Sequence, residues 1–237
     1  SETVYSGETT EIKYNDGSVV NVSASSTNGV LSKMADISPT PISLIKSVRV
    51  GTLFTSIAES CFMGCSELKF LSIPDSVTNI NNDMCYNCSK LETVIMGNGI
   101  TTTGRAPFRN CSSLTTVNFS NVLERIGQQA FTNCSALQTV DLPNSLVIME
   151  PAAFAGCGIQ SITIPDNVEQ IMDYQFYSCS ALESVQLSSS LVMLGNGSFR
   201  HCNLLTTVYM TSQVASNLDV TFGQHTTFKD ANHVTII

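Results

Sequence analysis

Residues 131–143 read FTNCSALQTVDLP. In this stretch Phe131 lies three places before Cys134 and Leu137 three places after it, and Val140 and Leu142 then alternate with polar residues until Pro143. Period-two placement of apolar residues reads as a short strand with one buried side, and proline ends it because it cannot donate to a ladder. Working outward, the cysteine returns as Cys65, Cys88, Cys111, Cys134, Cys157, Cys179 and Cys202, at intervals of 23, 23, 23, 23, 22 and 23 residues. The short interval has a visible origin. CSALQTV at Cys134 is matched by CGIQSI at Cys157, so one residue is missing just after the cysteine.

Every other feature keeps step. Leu68, Leu91, Leu114, Leu137, Ile159, Leu182 and Leu205 follow the cysteines; Leu71, Val94, Val117, Val140, Ile162, Val185 and Val208 come next. Two residues further stand Ile73, Met96, Phe119, Leu142, Ile164, Leu187 and Met210. After the turn a second apolar pair marks the return side of a coil, as in Val77 and Ile80, Leu123 and Ile126, Leu146 and Met149, Val168 and Ile171, and Leu191 and Leu194. Phe62, Phe108, Phe131, Phe154, Phe176 and Phe199 close the units, and Cys85 interrupts that column.

A unit of this size cannot enclose its own apolar side chains, whereas stacked units cover one another and give each strand a parallel neighbour. The fold expected is therefore a repeat solenoid, a right-handed β-rich superhelix. One side carries a parallel sheet of about nine short strands, beginning near Ile45, Leu68, Leu91, Leu114, Leu137, Ile159, Leu182 and Leu205 with a last one near Val234, and the other side carries short extended or irregular segments. At about 4.8 Å per strand the sheet is roughly 40 Å long. Residues 1–43 depart from the repeat and contain EIKYNDGSVVNV, whose Asp-Gly between alternating segments predicts a hairpin in an amino-terminal cap. Residues 44–210 form the repeats; 211–237, with His225 where a cysteine is due, form an irregular closing coil ending TFKDANHVTII.

Composition bounds the function. The 237 residues are 43% hydrophobic and 13% charged, which suits a folded chain. A net charge of -8, with 11 Lys and Arg thinly spread, leaves no basic stripe for nucleic acid. No apolar run reaches the roughly 18 to 20 residues of a membrane span. Residues 1–30 show no basic start and apolar core of a secretion signal, so a signal or anchor is expected outside this sequence.

The repeat C-x-x-L-x-x-V-x-L-P-x-x-V-x-x-I-x-x-x-A-F-x-x-C resembles the Treponema-type, BspA-like leucine-rich repeat family, most closely in CSALQTVDLPNSLVIMEPAAFAGC and CGIQSITIPDNVEQIMDYQFYSC. The resemblance covers residues 45 to about 210 and departs from the pattern at Cys85, at Thr103 on the return side and in both caps. It implies a bacterial cell-surface or secreted protein that binds host or matrix proteins, without enzyme activity in the repeats.

The periodic cysteines are expected as a buried ladder of small apolar side chains, left as free thiols because parallel Cβ vectors hold neighbours wider than a bridge prefers. Cys61, Cys65, Cys85 and Cys88 approach a structural zinc spacing, C-x3-C-x19-C-x2-C, but Cys65 and Cys88 are accounted for by the repeat. A Cys61–Cys85 bridge across adjacent coils stays open. His201, His225 and His233 all lie near the carboxyl end, and His201 is expected in a solvent-facing turn rather than as a base. NCS occurs at Asn87, Asn110 and Asn133 through turn residues beside the cysteine column, so it marks sugar sites only in a source that glycosylates. No catalytic residue, cofactor or metal site is assigned.

Residues flanking the middle apolar position of each strand point away from the core. One column is Ser47, Phe70, Thr93, Thr116, Thr139, Ser161, Ser184 and Thr207; the other is Arg49, Ser72, Ile95, Asn118, Asp141, Thr163, Gln186 and Tyr209. A rigid face with varied side chains suits protein recognition, with aromatic and arginine anchors. The candidate interaction residues are Arg49, Phe70, Ile95, Asn118, Asp141, Gln186 and Tyr209. The expected partner is an extracellular protein or a glycan, bound by a monomer. The alternative is a structural spacer or stalk that carries another domain.

Overall fold

A computed structural model describes residues 6–24, 28–218 and 235–236. The chain winds as a solenoid of about eight turns whose coils have three sides. On the first side, Ile45–Arg49, Phe70–Ser72, Thr93–Ile95 and Thr116–Asn118 pair in parallel, as do Ser161–Thr163, Ser184–Gln186, Thr207–Tyr209 and Thr235–Ile236. The register places Ser47, Phe70, Thr93 and Thr116 in one row and Ser161, Ser184 and Thr207 in its continuation. On the return side Asn79–Ile80, Thr102–Thr103, Arg125–Ile126, Ile148–Met149, Gln170–Ile171 and Met193–Leu194 form a second parallel sheet. Thr103 fits this apolar row because it is buried with its hydroxyl accepting from the Gly127 N–H at 2.9 Å.

The third side is held without regular strands. Two residues per coil adopt left-handed backbone there, for example Ala106 and Asn110, then Gln129 and Asn133. They turn alternate N–H groups along the rod: Phe108 N donates to Ala130 O at 3.0 Å and Asn110 N to Thr132 O at 2.8 Å, and Phe131 and Asn133 repeat the pattern onto Ala153 and Ala155. This requirement explains the column Gly64, Asn87, Asn110, Asn133 and Gly156 before successive cysteines, since Gly and Asn tolerate positive φ best. Ser178 and His201 occupy the same conformation in the next two coils. The asparagines of the NCS triplets also join one another, Asn110 Nδ2 donating to Asn87 Oδ1 at 2.8 Å and Asn133 Nδ2 to Asn110 Oδ1 at 2.9 Å.

Inside, Phe108, Phe131, Phe154, Phe176 and Phe199 stack with ring centroids 5.3, 5.3, 6.0 and 5.4 Å apart. The cysteines run beside them, and all nine are buried free thiols. They do more than fill space. Cys88, Cys134, Cys157, Cys179 and Cys202 each donate an S–H to the carbonyl of the phenylalanine that closes the previous coil's entry, at 3.1 to 3.2 Å. Cys111 donates to the carbonyl of Cys85, which stands in the phenylalanine column. Cys61 turns toward the amino-terminal residues, donating to Ser32 O at 3.2 Å, and no bridge joins it to Cys85.

At the amino-terminal end Thr10–Tyr14 and Val19–Val22 pair antiparallel around Asp16 and Gly17, and Thr10–Tyr14 also lies antiparallel along Ile45–Arg49. The hairpin thereby occupies the edge that the first coil would otherwise leave open to pairing with another chain. Toward the other end, Ser212–Asn217 is helical, its first turn capped by Thr211 Oγ1 accepting from Val214 N at 3.2 Å. His225, His233 and most of TFKDANHVTII lie outside the described residues.

The sheet differs from the expected single ladder in one place. Residues 139–142, due to form the fifth strand, pair with neither neighbour, so the parallel sheet divides between Thr116–Asn118 and Ser161–Thr163. Two departures from the repeat flank this coil. On one side Phe119 replaces the usual aliphatic residue and sets its ring edge-on to Phe131 at 5.6 Å. On the other, the missing residue after Cys157 shortens the lead into the next strand by about 3.3 Å of chain. Gly158 in that lead presses on the preceding coil so closely that a Cβ would lie 2.2 Å from Ser135 O. The third side and the return side stay bonded through the same coils, Phe131 N to Ala153 O at 2.7 Å and Glu150 N to Ile126 O at 2.9 Å, so the opening is confined to the sheet face.

One buried group is poorly served. Gln175 stands where neighbouring coils have Ala130, Ala153 and Ser198; it is fully buried, and neither end of its amide has a hydrogen-bonding partner among the described residues. An unpaired buried amide costs about 1–3 kcal/mol. Gln175→Met, close in volume, is expected to raise unfolding free energy by that order, measured by urea titration.

Burial pushes up the thiols of Cys61, Cys65, Cys85, Cys111, Cys134, Cys157 and Cys179, and that of Cys202 up to about 12. The folded state therefore holds protons that unfolded thiols release above about pH 8.5. The stability this supplies is complete below that pH and is lost as pH rises toward the folded values, at about 1.4 kcal/mol per pH unit per thiol. Thermal midpoints should be level from pH 6 to 8 and fall steeply above about pH 9. Iodoacetamide at pH 8 should label the nine cysteines only after denaturant is added.

Candidate functional site

The sheet face is two surfaces of different character. In its amino-terminal half the predicted anchors are engaged or covered. Arg49 pairs with Glu11 of the hairpin at 3.1 Å and lays its guanidinium over the Phe70 ring, 4.8 Å from the centroid. Both residues thus fasten the first coils to the hairpin, and Phe70 is half-buried. Ile95 was expected on the exposed surface but is only 2% exposed, and Ser72 beside it is buried too. Its position explains this. Ile95 lies in register between Ser72 and Asn118, each one strand away, and a branched side chain so flanked is enclosed by its neighbours. Asn118 is half-buried.

In the carboxyl-terminal half the same column stands open. Asp141, Thr163 and Gln186 are exposed, and Tyr209 is 39% exposed. Asp141, Thr163 and Tyr209 make no side-chain hydrogen bond among the described residues, and the Gln186 amide donates only to the next carbonyl, Leu187 O, at 3.2 Å. Strand pairing brings three of these together, Ser161, Ser184 and Thr207 in one row and Thr163, Gln186 and Tyr209 in the other. Asp141 lies across the divide in the sheet. Two adjoining depressions occupy this surface. One of about 270 Å³ lies between 139–144 and 161–165, and the other, of about 310 Å³, is bordered by Thr163, Gln186 and Tyr209.

Thr163 and Ser161 were legible as outward-facing strand residues but carry no aromatic or charged signal that marks an anchor. What makes them part of the site is the break beside them. His201 is not a free surface group: it is half-buried, its ring edge-on to Tyr177 at 5.2 Å. Among the described residues no three His, Cys, Asp or Glu side chains gather as a metal ion requires, and no helix is long and apolar enough to cross a membrane.

The repeat geometry matches a known family. A model of the BspA-type leucine-rich repeat region fits residues 42–135 and 102–229, in six copies. The chain belongs to the BspA-type leucine-rich repeat family. Among solved structures, the T. pallidum leucine-rich repeat protein is similar at 27% identity and a TM-score of 0.59, over 68% of this chain and 72% of that one. The pneumococcal vaccine antigen PcpA shares the fold at 17% identity and a TM-score of 0.53, over 84% of this chain and 60% of its own. No curated protein matches the sequence significantly.

Within this BspA-type solenoid the divided coil should be visible in solution. The N–H groups of 139–142 make no hydrogen bond among the described residues, whereas those of Phe70–Ser72 lie between two paired strands. Hydrogen exchange followed residue by residue should be about a hundredfold or more faster at 139–142, because no opening of the fold is needed there. Equal protection at both segments would mean that the ladder is closed.

Proposed function

We propose that this chain is a non-catalytic surface or secreted binding protein that recognises another protein, or a glycan, through the carboxyl-terminal half of its sheet face. The observation that carries the reading is the contrast between the two halves. One buries or engages its side chains; the other presents Asp141, Thr163 and Tyr209, without side-chain hydrogen bonds among the described residues, and Gln186, bonded only to the next carbonyl, beside two depressions. Tyrosine on a rigid strand offers contact area at low entropic cost, and hydroxyl and amide groups around it supply hydrogen bonds.

Family membership supports a location outside the cell, since the repeat resembles those of bacterial surface proteins and PcpA is described as a vaccine antigen. Burial removes the thiols from chemistry, because a thiol held protonated is a poor nucleophile.

The test is capture of proteins from a host matrix or mucosal extract on immobilised chain, identification of the captured species, and titration of the purified partner. Tyr209→Asp combined with Gln186→Arg should weaken that complex at least tenfold while leaving the thermal midpoint within about 2 °C, since exposed positions contribute little to stability. Arg49→Ala should act oppositely, lowering stability through the lost hairpin contact without weakening the complex. Undiminished affinity in the double variant would favour the spacer reading.

A further inference from the structure

We propose that the opening between 139–142 and Ser161–Thr163 receives an extended polypeptide segment of a partner protein, bound through its main chain. This rests on the reading of the sheet face as a binding surface and names the part of it that reads the ligand. Four neighbouring residues, Thr139, Val140, Asp141 and Leu142, leave every backbone N–H and C=O without a partner among the described residues. Elsewhere on this side the coils spend these groups on each other, as in Met96 N to Asn118 O and Ile164 N to Gln186 O. An alternating row of donors and acceptors on an extended segment is complementary to another main chain.

Part of the lining is apolar: Val140, and Leu142, which is half-buried where its equivalents Met96 and Leu187 are enclosed. Ile162 and Pro165 complete the wall on the far side. Polar rims over a partly apolar lining suit a strand, which presents side chains alternately while its backbone pairs. No aromatic ring lines the opening, which removes the flat surface on which a sugar ring stacks. Asp141 on the rim, in a chain of net charge -8, favours a lysine or arginine in the segment. The occupant that fits is therefore an extended peptide with β-branched residues alternating with basic or hydroxyl ones.

The coils beside the opening stay joined on their other sides. The phenylalanine rings stay stacked across it, 5.3 Å from Phe131 to Phe154 and 6.0 Å on to Phe176, and the third side remains bonded throughout. Gly158 is already against Ser135, so the shortened lead has no slack. A site already formed in the free chain binds without spending energy on its own ordering.

The probe is a synthetic library of acetylated heptapeptides alternating Val, Ile or Thr with Lys, Arg or Ser, applied to the whole chain and followed by amide exchange at 139–142. Exchange there should slow at least tenfold at saturating peptide. The best binder with alternate nitrogens methylated should lose tenfold or more in affinity. Inserting one alanine between Gly158 and Ile159, which restores the 23-residue interval, should close the ladder, protect 139–142 without peptide and abolish binding. Should that insertion fail to fold, Asp141→Lys keeps the opening and should weaken lysine-containing peptides tenfold. The proposal is overturned if no peptide slows exchange, if methylation has no effect, if Asp141→Lys leaves affinity unchanged, or if a closed-ladder insertion variant binds as well. Protection produced only by oligosaccharides, or by raising the chain's own concentration, overturns it too. A partner that still depends on Tyr209 but ignores the insertion would leave the face in place and refute the opening alone.

Discussion

The constraint on which this molecule depends is that each coil satisfies its backbone on the next one. Hydrogen bonds run along the rod on three sides, and no coil of 23 residues could enclose its phenylalanine, cysteine and strand residues without the coil above and the coil below. Once that axial pairing is fixed, side chains at equivalent positions must repeat. Phenylalanine rings lie over phenylalanine rings, thiols donate to the carbonyl one coil back, and Asn87, Asn110 and Asn133 hold hands along the edge. Asparagine and aspartate do the same at the corners, where Asp75 accepts from Asn98 N at 2.7 Å and Asp173 from Asn196 N at 2.7 Å. Exposed ion pairs between coils, such as Lys69 with Glu92, add little beside these bonds.

A stack of this kind turns a small change in sequence into a local feature. In a compact globular domain, loss of one residue shifts many contacts. Here the 22-residue unit leaves the ring stack and two of the three bonded sides intact, and the mismatch is expressed on the remaining side, where the ladder lapses at 139–142. The larger Phe119 side chain reinforces it from the opposite flank. The unpaired main chain is therefore placed on the broad face, beside the column whose side chains stand exposed, and this coincidence gives the two halves of the face different character.

Structural demand also decides which candidate residues are available for recognition. Arg49 and Phe70 carry the chemistry of interaction anchors, yet the hairpin that covers the first edge uses them, with Glu11 satisfying the guanidinium and the ring supporting it. Tyr209, chemically a similar anchor, meets no such demand and stays open.

By itself the sequence determined the repeat, its phase and the core columns, because apolar spacing, proline stops and one cysteine per unit are local signals that survive copying. It also located the missing residue after Cys157. It did not show that the thiols donate hydrogen bonds, since a buried cysteine in a column reads equally as a space filler. Only the tertiary structure decided that Ile95 is enclosed, that Arg49 is spent on the hairpin, and that the sheet parts at 139–142. Those outcomes depend on what the neighbouring coils place beside a residue. Alternation along one strand says which way a side chain points; it says nothing about how much room the strands on either side leave for it.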